Sequence, residues 1–350
     1  GYKGRCHYLS SEEVQAKMAS GMPHTIRFHM RREDLTVKDL IRGDVHFDTE
    51  LISDFVIQKA DGWPTFHLAV VVDDALMGIT HVVRGEDHLP NTPKQIQLCQ
   101  ALGYTVPQYA HLPMILGPDR SKLSKRHGAT AVDDYRAQGF LPDALVNFLS
   151  LLGWSHPEEK EIISLDEIVR SISIERIHKS GAIFDIQKCT WMNKQYIAHK
   201  SPEELLVLTK GFLPDQFYTL SDTQQKRVLT LLADSVDTVS GFSAQIGWSF
   251  QPSSSVGPFP ENPDVTKKIM PMVLGALDQW TETHPIMETV NAWLQQLNQA
   301  LDLGKGPGKS KGALLKTLRY ALTGELHGPA LAEIMGILGK SEVQKRLSIV

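Results

Sequence analysis

Apolar positions change their spacing along the chain, and each change marks a part of it. Residues 1–60 combine a short helix, residues 10–18, with strand-like pieces at residues 25–30 and 52–58. The Ser-Ser-Glu-Glu start of that helix suits an N-cap followed by an acidic first turn. From Trp63 the pattern differs. Leu68-Ala-Val-Val-Val72 is a continuous, β-branched apolar run, which reads as a strand buried on both faces of a parallel sheet and stopped by Asp73-Asp74. Residues 79–83 read as a second strand and residues 112–116 as a third. Between them residues 91–102 read as a helix, with Thr92 as N-cap, Pro93 in the first turn, Ile96, Cys99 and Leu102 on one face, and Gly103 closing it. This succession predicts part of a doubly wound α/β domain.

After Gly117 the chain turns basic and polar, then helical. Leu141, Leu145, Phe148, Leu149 and Leu152 recur at helix spacing up to Gly153, and a further helix is expected near residues 165–169. Residues 201–350 read as helical almost throughout, with stretches at 269–277, 290–301 and 312–322, and form a separate α domain. Its one break is the glycine- and lysine-rich segment 303–311. No internal repeat is apparent.

Composition narrows the class. Hydrophobic residues make up 42% and charged residues 22% of 350, the balance of a folded globular protein and not of a disordered one. The longest apolar runs fall far short of the roughly 20 residues that cross a bilayer. Cys6, Cys99 and Cys189 are odd in number and far apart, so their spacing gives neither a disulfide framework nor a metal cluster, and a reducing compartment fits. With a net charge of -4, contact with a nucleic acid has to come from local basic patches. The chain opens at Gly1 in sequence that reads as the interior of a domain, so a fragment or a processed product is expected.

Two segments carry chemistry. Lys122-Leu-Ser-Lys-Arg126 offers three cations and a hydroxyl within five residues on a glycine-flanked loop, a device for neutralising charge on departing phosphates. By composition alone it equally suits a solvated loop. The second segment, His81-Val-Val-Arg-Gly-Glu-Asp-His88, lies past a predicted strand, where open α/β sheets bind ligands. Arg84 offers a bidentate fork for a carboxylate, and Glu86 and Asp87 can accept hydrogen bonds from a base or ribose. Together the two segments are more specific than either.

With them, Phe66-His-Leu-Ala-Val-Val-Val-Asp-Asp74, Asn147-Phe-Leu-Ser-Leu-Leu-Gly-Trp154 and Gly181-Ala-Ile-Phe-Asp185 resemble the bacterial-type glutamyl-tRNA synthetases in order and spacing, over residues 1 to about 200. Tyr320-Ala-Leu-Thr-Gly324 and His327-Gly-Pro329 look like their anticodon-binding end. The resemblance implies a class I ligase that activates L-glutamate with ATP and Mg2+ and transfers it to tRNA(Glu). It implies four parts: residues 1–59, a remnant of the acceptor-binding insertion; 60–117, the second half of a Rossmann-type catalytic domain; 118–200, a stem-contact domain; and 201–350, an α-helical anticodon domain.

It also implies roles for residues. Lys122, Ser124 and Lys125 stand where the family's catalytic KMSKS loop stands. Asp87, His88, Lys122, Leu123, Ser124, Lys125 and Arg126 fall where the family contacts ATP, and Phe66, Val70 and Arg84 where it contacts glutamate. Phe66 replaces a tyrosine found in many members, which removes a hydrogen bond from the pocket. The family's HIGH motif has no counterpart in the chain and would lie upstream of Gly1, so a chain inactive by itself is expected. Some members hold zinc in the insertion; Cys6-His7 is a lone pair here, and no zinc is expected. Lys305, Lys309, Lys311, Lys316 and Arg319 form an acid-free basic stretch that suits tRNA, although a solvated linker has the same composition. Trp154 and Trp191 are expected in the core. A monomer in the bacterial cytoplasm or an organelle is expected, without membrane contact. A glutaminyl-tRNA synthetase, whose C-terminal part is built of β-barrels, and a short paralogue lacking the anticodon domain are disfavoured by the helical residues 201–350. A tRNA-binding fragment without catalysis is the remaining alternative.

Overall fold

The structure is a computed structural model that describes residues 4–128, 131–251, 271, 273–275, 277, 280 and 311–348. By packing, the chain forms two compact units, Gly1–Thr130 with Asn147–Asp185, and Ala131–Val146 with Ile186–Val350.

In the first unit α1 (Ser11–Ala19) opens with a reciprocal cap: the Ser10 hydroxyl accepts from the Glu13 N–H and the Glu13 carboxylate accepts from the Ser10 N–H. Then come β1 (Ile26–Phe28), β2 (Asp34–Asp39), β3 (Gly43–Asp48), β4 (Phe55–Gln58), α2 (Phe66–Leu76), β5 (His81–Gly85), α3 (Thr92–Ala101), β6 (Gln108–Leu112) and β7 (Ile115–Leu116). The four-stranded sheet has the order β3-β2-β6-β5. Its β2–β3 pair is antiparallel, and β6 runs parallel to both β2 and β5. Asp39 pairs with Tyr109, and Arg84 with His111, so the carboxyl ends of three strands lie side by side. Val37, Ile96 and Tyr109 form one core cluster; Val71, Leu98 and Cys99 form another.

Residues 68–72 are not a strand. They lie inside α2, which runs on through Asp73 and Asp74 to Leu76. Leu68, Val71, Val72 and Ala75 recur at helix spacing, and a five-residue apolar run cannot tell a buried strand from a buried helix turn. Only Val71 of this helix is fully buried; Asp73 is exposed and Asp74 half-buried. The predicted strand at 112–116 also differs: β6 precedes it, Pro113 interrupts, and β7 pairs instead with β8 (Ala182–Ile183). Thr92 is the first residue of α3 and not its cap; its hydroxyl is engaged elsewhere.

The chain passes through α4 (Val132–Ala137) and α5 (Pro142–Leu151), then α6 (Leu165–Ser171) and β8. Trp154, Ile163 and Ile168 pack together, and the buried Asn147 side chain accepts from the Ile163 N–H at 2.9 Å. The second unit is helical: α4, the start of α5, α7 (Ile186–Ala198), α8 (Pro202–Leu208), α9 (Asp222–Leu232), α10 (Phe242–Gln245), α11 (Lys311–Thr323) and α12 (Leu331–Ser348). Phe217, Phe242, Leu229, Leu232 and Ile246 are fully buried in its core. A glycine at 339, with φ of 78°, lets α12 kink. The expected helix at 290–301 and the break at 303–310 lie outside the described residues. Trp154 is buried, whereas Trp191 is 42% exposed: on α7 the buried face belongs to Cys189, Met192 and Ile197.

Candidate active site

Arg84 stands one residue from the end of β5, half-buried, beside His111 of β6. Its Nε–H donates to His111 Nε2 at 3.1 Å. Its Nη2 donates to the Thr92 hydroxyl at 3.0 Å and reaches the His88 carbonyl at 3.4 Å. The guanidinium also lies 5.4 Å from the centre of the Tyr109 ring. Nη1 carries no hydrogen bond among the described residues, so one edge of a cation at the carboxyl ends of parallel strands is left for a ligand.

Behind it His111 is fully buried, and its Nδ1 lies 2.6 Å from the equally buried Asp39 carboxylate. That carboxylate also accepts from the backbone N–H groups of Ile41, Arg42 and His111. Burial raises the Asp39 pKa, but these donors outweigh it and the net direction is down. Burial lowers the His111 pKa, and the pull of Asp39 does not fully restore it.

Glu86 is engaged within the fold. One oxygen pairs with Arg42 and the other accepts from the Met114 N–H at 2.9 Å, so it ties the turn after β2 to the segment between β6 and β7. Asp87 is exposed and pairs with Lys122 at 3.0 Å; this hydrogen bond holds its carboxyl below the usual range. The His88 ring is 6.1 Å from the exposed Phe66 ring, and α2 thus borders the site. Val70 packs against the cluster of Val71, Leu98 and Cys99.

The basic loop is organised around Asp119, which accepts from the Ser121 N–H and hydroxyl and pairs with Arg126 at 3.2 Å and with His127. These bonds, the Ser121 hydroxyl first, hold its carboxyl far down. A Cβ at Gly117 would lie 2.8 Å from the His127 ring, so a larger residue there would push that ring aside. The Ser124 N–H donates to His127 Nδ1 at 3.1 Å, and Leu123 N–H to the Ile115 carbonyl at 2.9 Å. Lys122 is paired with Asp87 and Arg126 with Asp119. The exposed Lys125 is the loop cation with no such partner among the described residues.

Sequence reasoning passed over Asp39 and His111 and took Thr92 only as a helix cap. A histidine amid the buried run Tyr109-Ala-His111 was the available signal, since a buried polar side chain needs a partner. Of the basic stretch, Lys305 and Lys309 lie outside the described residues, Lys316 is exposed on α11, and Arg319 donates to the Pro329 carbonyl at 3.2 Å, fixing the turn before α12. Lys311 begins α11. Among the described residues no group of three His, Cys, Asp or Glu side chains could hold a metal ion, and no helix is long and apolar enough to cross a membrane.

An arginine with an open edge at the strand ends and a basic loop joined to that region through Asp87 and Lys122 make up the candidate site of this α/β fold. Residues 1–191 match the family of tRNA synthetases class I (E and Q), catalytic domain, and residues 204–350 match an anticodon binding domain. A glutamate–tRNA ligase of Moorella thermoacetica is 40% identical over 355 residues, covering 99% of this chain and 71% of that protein. One from Aquifex aeolicus is 41% identical, covering 99% and 73%. A solved glutamate tRNA ligase from Elizabethkingia meningosepticum, in complex with its amino acid, superposes with a TM-score of 0.85 at 30% identity, over 99% of this chain and 73% of that one. The chain belongs to the glutamate–tRNA ligase family of class I tRNA synthetases.

Proposed function

We propose that this chain takes part in the reaction its relatives are named for, the ligation of glutamate to tRNA. The glutamate carboxylate attacks the α-phosphate of ATP, supplied as its magnesium complex, and pyrophosphate leaves; a terminal ribose hydroxyl of tRNA(Glu) then takes the glutamyl group and AMP leaves. The observation that carries this reading is Arg84, a half-buried cation with an open edge at the strand ends, joined to the loop that bears Lys125.

In this reading Arg84 binds a substrate carboxylate, Phe66 and Val70 border the glutamate, Asp87 and His88 meet ATP, and Lys122, Ser124 and Lys125, flanked by Leu123 and Arg126, offset charge on the triphosphate. Lys122 has to leave Asp87 to do so. Residues 118–200 contact the tRNA stem and 201–350 the anticodon, with Lys305, Lys309, Lys311, Lys316 and Arg319 toward the phosphates. The protein works as a monomer in the bacterial cytosol, the setting of a bacterial-type synthetase.

L-glutamate titration by calorimetry, together with filter binding of tRNA(Glu) over a salt series, tests the reading. Glutamate is expected to bind in preference to glutamine and aspartate, and Arg84→Ala to abolish binding; tRNA affinity is expected to fall steeply with salt. Preference for glutamine, or tRNA binding indifferent to salt, would overturn it.

A further inference from the structure

Side chains from the carboxyl ends of three strands form one hydrogen-bonded row: Asp39 ends β2, while His111 of β6 and Arg84 of β5, register partners, each stand one residue before the end of their strand. The hydrogen bonds along the row have a direction. A carboxylate only accepts, so at 2.6 Å the Asp39–His111 contact places the proton on Nδ1. Nε2 is then left with a lone pair, and the only role open to Arg84 Nε–H at 3.1 Å is to donate to it. With the opposite tautomer, two N–H groups would face each other across that distance. Thr92 adds a second brace: its hydroxyl accepts from Arg84 Nη2 and lies 3.3 Å from the same His111 Nε2, to which it can donate. The guanidinium is thus held by its Nε and Nη2 edge, and Nη1 is the terminal nitrogen left over.

We propose that Asp39 and His111 are positioning residues for substrate recognition: Asp39 fixes the His111 tautomer, and His111 holds Arg84 by its Nε–H so that Nη1 meets a substrate carboxylate. The proposal rests on the reading of Arg84 as the carboxylate ligand. It also explains why an imidazole and a carboxylate are buried together where a pair of apolar side chains would fill the space.

Asp39→Asn is the sharpest variant. The amide oxygen can keep the backbone donors of Ile41 and Arg42, while its NH2 group donates to Nδ1 and forces the proton onto Nε2. His111→Gln supplies an acceptor toward Arg84 without the link to Asp39 and serves as the conservative rescue. The experiment reads the imidazole 15N shifts of His111 in the wild-type chain and in Asp39→Asn, with L-glutamate titration of both, of His111→Gln and of Arg84→Lys.

The expected results are an Nδ1–H tautomer in the wild type, an Nε2–H tautomer in Asp39→Asn with glutamate affinity lower by about 10- to 100-fold, and a smaller loss in His111→Gln. Affinity for tRNA should change by less than about twofold, which a general loss of structure would not allow. An Nε2–H tautomer in the wild type, or a glutamate affinity that depends on Arg84 but not on Asp39, overturns the positioning role and leaves the substrate reading intact. Affinity indifferent to Arg84, or absent, removes the substrate reading and the positioning role with it.

Discussion

At the scale of single residues, candidates stood out in sequence where they sat in a short stretch of chain. Arg84 and Lys125 drew notice because their segments concentrate charge. His111 and Asp39 were not, because the former is 27 residues from Arg84 and the latter 72 from His111; only the sheet brings them together. The same limit explains Glu86, read as a ligand for a base or ribose but engaged by Arg42 and the Met114 N–H. Because Glu86 and its one charged partner, Arg42, are both mostly buried, Glu86→Gln is expected to destabilise the first unit by about 1–3 kcal/mol; chemical denaturation checks this, and unaltered stability would return Glu86 to the ligand side. The row behind Arg84 also predicts a response to pH. The pKa of His111 is depressed by burial, so the folded state binds fewer protons than the unfolded chain as pH falls through the ordinary histidine value of 6.5. The stabilisation is therefore complete above that value and is lost as pH falls from there toward the folded pKa; Asp39, also depressed, extends the loss below 3.8. A thermal midpoint followed from pH 8 to 5 should be flat and then decline. His111→Gln should shrink the decline without removing it, since burial depresses His67 in the same direction.

Elements were legible where a periodic pattern was bounded by caps. The Ser10 cap of α1 and the extent of α3, to within a residue, follow from sequence. The run that became α2 did not, because its five apolar residues fit both periods and the aspartates after it suited a strand end as well as a helix face. The loop between β7 and α4 shows the other limit: its motif was visible, but the Asp119 hub that shapes it was not. With Asp119 collecting Ser121, Arg126 and His127, the loop is closed on itself, and among the described residues only the Asp87–Lys122 pair ties its basic segment to the strand ends through side-chain charge. Asp119→Asn removes the anionic hub at an exposed position, so stability should stay within experimental error. Tryptic cleavage after Lys122, Lys125 or Arg126 should instead accelerate, because the backbone must leave its turn to enter a protease. Cleavage rates equal to the wild type would mean that the backbone bonds of Gly117, Arg120 and Leu123 suffice to hold the loop.

On the scale of the whole molecule, the change from mixed to helical periodicity near residue 200 was readable. What was not is that residues 131–146 pack with the helices: Leu141, just before α5, and Ala144 in its first turn lie in the core of the second unit, and Phe148 further along α5 packs against Phe184 in the first. A periodic stripe says that a face is buried, not by which partner. Within the second unit, the largest departure from apolar packing is Arg346, 3% exposed in α12. Its guanidinium donates to the carbonyls of Trp248, Leu322 and Gln251 at 2.6, 2.7 and 2.8 Å, and its Nε to Glu342 at 2.8 Å. Three carbonyls from two other segments are thus satisfied by one side chain, and α12 is fastened to both α11 and the segment after α10. Arg346→Met fills the volume but leaves those acceptors without a donor and Glu342 without its cation, at a cost of about 3–5 kcal/mol. Because the units have separate cores, hydrogen exchange should rise at amides of α9, α11 and α12 while those of β5 and β6 keep their protection. The variant should then lose tRNA(Glu) affinity at a temperature where it still binds L-glutamate. A parallel rise of exchange in β5 and β6 would instead show that the two units unfold as one.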